Sequence, residues 1–309
     1  MQDAIVTVFG GGGFIGRYVV QQLFDAGARV RVVQRDPKAA FFLRLGRIGR
    51  IQFLAADVRK KDSVARALAG SDAVVNLVGS FAKMEQVQAQ GAAYVAAAAA
   101  AAGVKALVHV SAIGADSNAE SRYARTKGEG EAAVRAAFPS ATILRPSIVF
   151  GREDAFTNRF ARMLGLPLVP VVRGGTKFQP VFVADLAQAI VQAVTDPGRH
   201  AGKTYEIAGP ERIGMTELLQ RLAGWTGRSP HLVPMPDGLA ALMARTTGWL
   251  PGAPINWDQW LMLQRDNVAS GPGLEEFGIR PTPLAAVAPD WLIQYRKHGR
   301  FGSMSTVEG

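Results

Sequence analysis

Four consecutive glycines, Gly10 to Gly13, with another at Gly16, follow directly on the apolar, β-branched run Ile5-Val6-Thr7-Val8-Phe9. The next segment, Phe14 to Ala26, has the spacing of an amphipathic helix and stops at Gly27. A strand, a turn without side chains and a helix leave little freedom. The chain turns tightly, and a phosphate group can approach the backbone N–H groups at the positive end of the helix. Two glycine registers fit such a loop, Gly11-x-Gly13-x-x-Gly16 and Gly10-x-x-Gly13-x-x-Gly16, and the glycines do not choose between them. Both predict a dinucleotide pyrophosphate held at this loop, by Gly10, Gly13 and Gly16 in the second register, with Phe14 and Ile15 opening the helix beside it.

Beyond this loop the pattern alternates. Strand signals at Arg29–Gln34, Ile51–Leu54, Ala73–Val78, Ala106–Val110 and Thr142–Leu144 are separated by helix signals at Asp62–Ala69, the alanine-rich run around residues 89–102, and Ser121–Ala137. Such alternation predicts an α/β fold, a Rossmann-type doubly wound parallel sheet. After Gly151 the rhythm loosens and all five tryptophans fall in the last third, which predicts a smaller mixed C-terminal lobe. The expected division is 1–152 and 153–309, with segments around 177–208 returning to the first domain. Trp257 and Trp260, three residues apart, are expected to share one buried helix face, with an amphipathic docking face as the alternative. The residues from Gly302 onward look like a loose tail.

Composition narrows the chemistry. With 48% hydrophobic residues in 309 the chain has ample material for a core, and with no cysteine it has neither disulfides nor thiolate metal sites. Four histidines without ligand spacing make a metal centre unexpected. The alanine run is shorter than the roughly 20 apolar residues of a membrane span, and Met1-Gln2-Asp3 leads into a strand rather than a targeting segment. The net charge of +10 is concentrated: between Arg29 and Lys61 ten basic residues face only Asp36 and Asp57. That stretch suits a phosphate, an anionic membrane surface or an acidic partner, or is a solvated face with no partner. No DNA-binding motif accompanies it, so no nucleic acid is expected.

Several residues carry candidate chemistry. The second strand ends in Gln34-Arg35, where a site for NAD places an acidic residue on the ribose 2′-OH. Arg35 suits a 2′-phosphate, which favours NADP(H) over NAD(H), with the neighbouring Asp36 as the opposing feature. Asp57 and Val58 are placed to meet an adenine edge, Val78 and Gly79 lie where a cofactor crosses the fourth strand, and Pro146 flanks the nicotinamide position. Tyr123 and Lys127 sit at i and i+4 of one helix, so phenol and ammonium can converge: Lys127 can favour the phenolate and hold the nicotinamide ribose. Ser111, ending the fifth strand, either orients a substrate carbonyl or bonds backbone; Ala112 follows it, not a second hydroxyl residue.

Taken together, Gly13-Phe14-Ile15-Gly16-Arg17-Tyr18, His109-Val110-Ser111-Ala112, Ser121-Arg122-Tyr123 with Lys127, Arg145-Pro146-Ser147 and Gln179-Pro180-Val181-Phe182-Val183 resemble the atypical branch of the short-chain dehydrogenase/reductase superfamily. Within it they are similar to the nucleotide-binding accessory subunits of respiratory complex I and their bacterial relatives. That resemblance implies a protein that holds NADPH, partners complex I subunits and lies at the inner face of a bacterial plasma membrane as a peripheral component. The alternative is an active NADPH-dependent reductase or epimerase-like enzyme using Tyr123, Lys127 and Ser111.

Overall fold

The computed structural model describes residues 1–44, 49–250, 255–297 and 299. Arg47, the side chain of Arg44 and the tail from Gly302 lie outside the described residues. In chain order the first elements are β1 (Ile5–Phe9), α1 (Phe14–Asp25), β2 (Arg29–Gln34), β3 (Ile51–Ala55), α2 (Lys61–Leu68), β4 (Ala73–Asn76), α3 (Gly91–Ala101), β5 (Ala106–Val110), α4 (Arg122–Ala137) and β6 (Thr142–Pro146). Then follow β7 (Val149–Phe150), α5 (Ala155–Met163), β8 (Leu168–Val172), β9 (Lys177–Phe178), β10 (Val181–Phe182), α6 (Val183–Thr195), α7 (Pro197–His200) and β11 (Thr204–Ile207). The remainder comprises β12 (Ile213–Gly214), α8 (Met215–Thr226), β13 (His231–Met235), α9 (Asp237–Thr246), α10 (Trp257–Met262) and α11 (Leu284–Leu292).

The chain divides into two compact units. The first comprises Met1–Pro146, Val183–Ile207 and Ala269–Arg280. Its centre is a seven-stranded sheet in the order β11-β6-β5-β4-β1-β2-β3, parallel throughout, which is the doubly wound arrangement the alternating pattern predicts. Val6, Val8, Val32, Val74 and Val75 are fully or almost fully buried, as strands covered on both faces require. The strand order reverses between β1 and β4, so the loops after these two strands border the crevice where α/β sheets of this kind take ligands.

One face of the sheet is covered by α2, α3 and α4. Alanine is the best helix former and the smallest, so α3 buries Ala92, Ala96 and Ala99 beside Val95 and packs closely on Val74, Leu107 and Val134. A π-helical turn, Glu85–Gln90, leads into α3, and α4 approaches it closely. A side chain at Gly130 would place its Cβ 2.3 Å from the Gln88 carbonyl oxygen. On the other face lie α1 and α6, joined by a bond from the Gln22 amide to the Ala184 carbonyl (3.1 Å). Beneath α4, the Arg145 guanidinium donates to both oxygens of the buried Glu131 carboxylate (2.9 and 2.6 Å).

The second unit comprises Ser147–Phe182, Ala208–Val268 and Pro281–Gly309. It holds three two-stranded sheets, β7 with β10, β8 with β13 and β9 with β12, around a core that includes Phe150, Phe178, Leu218, Leu222 and Trp291. Asn267 ties it together: its side-chain oxygen accepts from the Ser147 hydroxyl (2.6 Å) and the Ile148 amide (3.2 Å). The two tryptophans of α10 part company. Trp260 is buried against Ala240, Ala244 and Ile255, whereas Trp257 is 39% exposed beneath the Arg245 guanidinium. The expected shared buried face therefore fails for Trp257, the first residue of α10, whose ring packs under Arg245 and not in the core.

Breaking the buried ion pair from one side strands a charge. Arg145→Leu is expected to cost about 3–5 kcal/mol in urea denaturation, and Glu131→Leu combined with Arg145→Leu to recover most of it. A single variant as stable as the parent would show that the pair does not hold α4 to β6.

Candidate cofactor site

The glycine loop is shaped by close approach. Gly10 has φ +79°, a conformation that side chains rarely adopt. Its carbonyl accepts from the Gly13 amide (2.9 Å). A Cβ at Gly16 would lie 2.3 Å from that same carbonyl oxygen and 2.6 Å from Gly11 Cα, both backbone atoms that cannot step aside. Glycine at 16 thus lets α1 start against the loop. The N-cap of α1 is Gly13, which has no side-chain cap, and its first turn has no acidic residue. The start of α1, half-lined by Phe14 and Ile15, therefore keeps its partial positive charge for an incoming anion.

The neighbouring strand ends sit level with this loop. The Leu77 amide donates to the Phe9 carbonyl (3.0 Å), joining the exit of β4 to that of β1. The Asn76 side chain then turns the chain by accepting from the Val78 amide (3.2 Å). Beyond it Gly79 lies close to Lys127: a Cβ there would be 3.6 Å from the Lys127 ammonium. Lys127 is buried and donates to the Val110 carbonyl at the end of β5 (3.1 Å). Pro146, ending β6, accepts from the Ile113 amide (3.0 Å), which secures the loop after β5.

Burial sets the proton chemistry. It pushes the Lys127 ammonium down to about 8, an effect opposed by the nearby Glu131 carboxylate. His109 is pushed down to about 3, first by burial and then by the Lys127 charge, so its imidazole is neutral. The Asn76 side-chain amide faces His109 Nδ1 (3.2 Å); read as donor to acceptor, this places the ring proton on Nε2. His109 Nε2 and the buried Ser111 hydroxyl have no hydrogen-bond partner among the described residues. Of the two readings of Ser111, bonding backbone and facing a ligand, the first has no bond to support it.

Tyr123, in the first turn of α4, is half-buried with its ring stacked on the exposed Phe81 (5.0 Å between centroids, 20° between planes). The N-cap Ser121 accepts from the Ala124 amide (3.3 Å) and fixes where this helix begins.

The adenosine end is built by β2, β3 and α2. Gln34, the last residue of β2, is neutral, and its amide donates to the Asp36 carbonyl (2.6 Å). The Asp36 carboxylate turns into its own loop and accepts from the Lys38 amide (3.0 Å). Arg35 is exposed between them. Asp57 carries more structure than an adenine contact requires. Its two oxygens receive the Arg59 guanidinium (2.5–3.0 Å), which holds its carboxyl down at about 2. Val58 beside it is buried. The sequence shows Gln34 at the end of β2 and His109 near the end of β5 but gives neither a part in the site, and their place at these strand ends is the signal that points to them.

The arrangement fits a dinucleotide: a loop that no side chain could fill, an open helix start, a buried ammonium and an orphaned hydroxyl follow one another along the strand ends. A model of NAD(P)H-binding proteins matches residues 10–197. The chain belongs to this NAD(P)H-binding family, in its atypical short-chain dehydrogenase/reductase branch. It is 36% identical over 96% of its length to the mitochondrial NADH dehydrogenase [ubiquinone] 1 alpha subcomplex subunit 9 of Mus musculus, of which it covers 82%. A ceramide reductase of Caulobacter vibrioides is 30% identical over 79% of this chain and 78% of its own. Among solved structures, the NADPH-dependent quinone oxidoreductase of Escherichia coli with NADPH superposes with a TM-score of 0.74 at 23% identity, over 93% of this chain and 99% of that one, which shows the shared fold.

Two measurements test the site. Gly16→Ala forces α1 off the glycine loop, and overpacking of this kind costs about 1–3 kcal/mol. The variant is expected to melt lower and to lose NAD(P)H binding in calorimetry; unchanged binding would remove the loop from the site. Between pH 8 and 10.5 the unfolded chain holds the Lys127 proton and the folded chain has released it. Stability should therefore rise with pH across that window, by on the order of 1 kcal/mol per pH unit at most. Lys127→Met is expected to flatten this rise, and an identical slope in the variant would refute the assignment.

Proposed function

We propose that this protein holds NADP(H) as a structural ligand and serves respiratory complex I as an accessory or assembly protein. The similarity to a complex I subunit along 96% of the chain carries this reading. In it Gly10, Gly13 and Gly16 cradle the pyrophosphate, with Phe14 and Ile15 alongside, and Val58, Val78 and Gly79 line the path. Asp57 meets the adenine, Lys127 holds the nicotinamide ribose and Pro146 flanks the nicotinamide. NADP(H) is preferred over NAD(H) because β2 ends in a neutral Gln34 followed by Arg35, while the Asp36 carboxylate is occupied by its own turn. The protein's place is the inner face of the bacterial plasma membrane, where basic residues between Arg29 and Lys61 face anionic lipid or an acidic subunit. Among the described residues no helix is long and apolar enough to cross a membrane, and no group of acidic, histidine or cysteine side chains could hold a metal ion.

The orphaned Ser111 hydroxyl favours a second reading, an NADPH-dependent reductase. A bound nicotinamide would supply hydride to a carbonyl carbon. Tyr123 would give its phenolic proton to the carbonyl oxygen, Ser111 would donate a hydrogen bond to that oxygen, and Lys127 would favour the resulting phenolate.

Native electrophoresis of gently solubilised membranes separates the two. Co-migration with complex I activity is the expected result; migration only as a free species would end the stable-subunit reading. Tyr123→Phe is expected to retain NADPH binding and leave complex I assembly intact. Loss of a measurable carbonyl reduction in that variant would instead establish the enzyme.

A further inference from the structure

Two polar side chains on one face of β5 lie buried without a protein partner. His109 and Ser111 are 2% and 3% exposed, and neither His109 Nε2 nor the Ser111 hydroxyl makes a hydrogen bond among the described residues. The Ser111 amide donates to the Leu144 carbonyl (2.7 Å), so pairing with β6 continues through residue 111. Alternate residues of a strand face the same way, which sets these two side by side with Cα atoms about 6.6 Å apart. Val110 between them anchors a third group, its carbonyl accepting from the buried Lys127 ammonium (3.1 Å).

The donors and acceptors in this cluster define what joins them. Asn76, the register partner of His109 on β4, points its side-chain amide at His109 Nδ1 (3.2 Å). With Nδ1 accepting, the neutral ring carries its proton on Nε2 and is a donor there. The ammonium keeps two protons beyond the one given to Val110, and the Ser111 hydroxyl both donates and accepts. Two donors and a hydroxyl call for a small molecule with two lone pairs and a proton of its own. Water has both, and internal waters typically make about three hydrogen bonds to buried polar groups.

We propose that His109 is a positioning residue for Lys127: its Nε2–H and the Ser111 hydroxyl hold one internal water against the ammonium. The water accepts from both nitrogens and donates to the Ser111 oxygen. Burial drives the ammonium toward its neutral form, and the water's lone pair opposes that. Of the charged groups around it, Glu131, one turn along α4, supports the ammonium but is held through both oxygens by Arg145 of β6. Glu85 of the π-helical turn is held by Arg122, and Asp116, beyond β5, accepts the Asn118 amide (2.9 Å). Tyr123, one turn before Lys127, stacks on Phe81. The inference lies outside the proposed accessory role and needs no bound cofactor.

The test uses the full-length protein with isotope-labelled lysine, the Lys127 signal being assigned by its loss in Lys127→Arg. The proton affinity of Lys127 is read by nuclear magnetic resonance titration in the parent, in His109→Leu and in His109→Gln, whose amide restores a donor. The Leu variant is expected to titrate about one pH unit or more below the parent, a tenfold loss of proton affinity, and the Gln variant to titrate with the parent. A Leu variant that titrates with the parent would overturn the proposal, whatever its melting temperature, because an imidazole that only fills space leaves the lysine unmoved. Should the Leu variant fail to fold, the parent decides. Its His109 Nε2–H is expected to cross-relax with a long-lived internal water; no such transfer, or a ring protonated on Nδ1 in place of Nε2, would overturn the proposal equally.

Discussion

The carbonyl oxygen of Gly10 occupies the space that a side chain at residue 16 would need, and it also receives the Gly13 amide. From that crowding the rest of the site follows. Because α1 starts directly on the loop, its uncapped amides open onto the C-terminal edge of the sheet, level with the ends of β2, β4, β5 and β6. Each neighbouring loop is then secured to a strand by a backbone bond, Leu77 to Phe9 and Ile113 to Pro146 among them. The parallel sheet supplies a straight edge, and the glycine loop decides that this edge can face a ligand.

Two electrostatic regimes meet along it. On one side Lys127 is buried among His109, Gly79 and the Val110 carbonyl, where removal of water governs its proton affinity and salt has little reach. On the other side Arg35 and the basic residues of α2 stand in water, where they act through number and convergence and are screened by salt. A dinucleotide spans such an edge, with a nicotinamide ring at one end, an adenine at the other and a pyrophosphate between them.

Much of the first unit was legible because its signals are local. A β-branched run closed by glycine, an alanine helix, and Tyr123 with Lys127 four residues apart each depend on neighbours in the chain. β1, β2 and β5 match their expected spans, and helix ends differ by a residue or two, as fraying ends do. What remained hidden depends on partners distant in sequence. The π-helical turn before α3 lies against Gly130 of α4, Trp257 lies outside the core that holds Trp260, and Arg35 comes to line one cleft with Lys60, Lys61 and Arg66 only once β2, β3 and α2 are assembled. The stretch from Arg29 to Lys61 announced its charge, while its division into paired residues such as Arg59 and unpaired ones such as Lys60 needed the fold.

The first unit is assembled from three pieces of chain, and its edge strand β11 and the segment Ala269–Arg280 come late in the sequence. Glu206 on β11 makes the dependence concrete, its carboxylate accepting the Ser270 and Gly271 amides and its own amide donating to the Pro272 carbonyl. During synthesis, which proceeds at roughly 5–20 residues per second, β1 to β6 emerge well before the chain that completes them. At that rate the chain between β6 and β11 takes roughly 3–12 s to emerge, and until it does β6 is an open sheet edge.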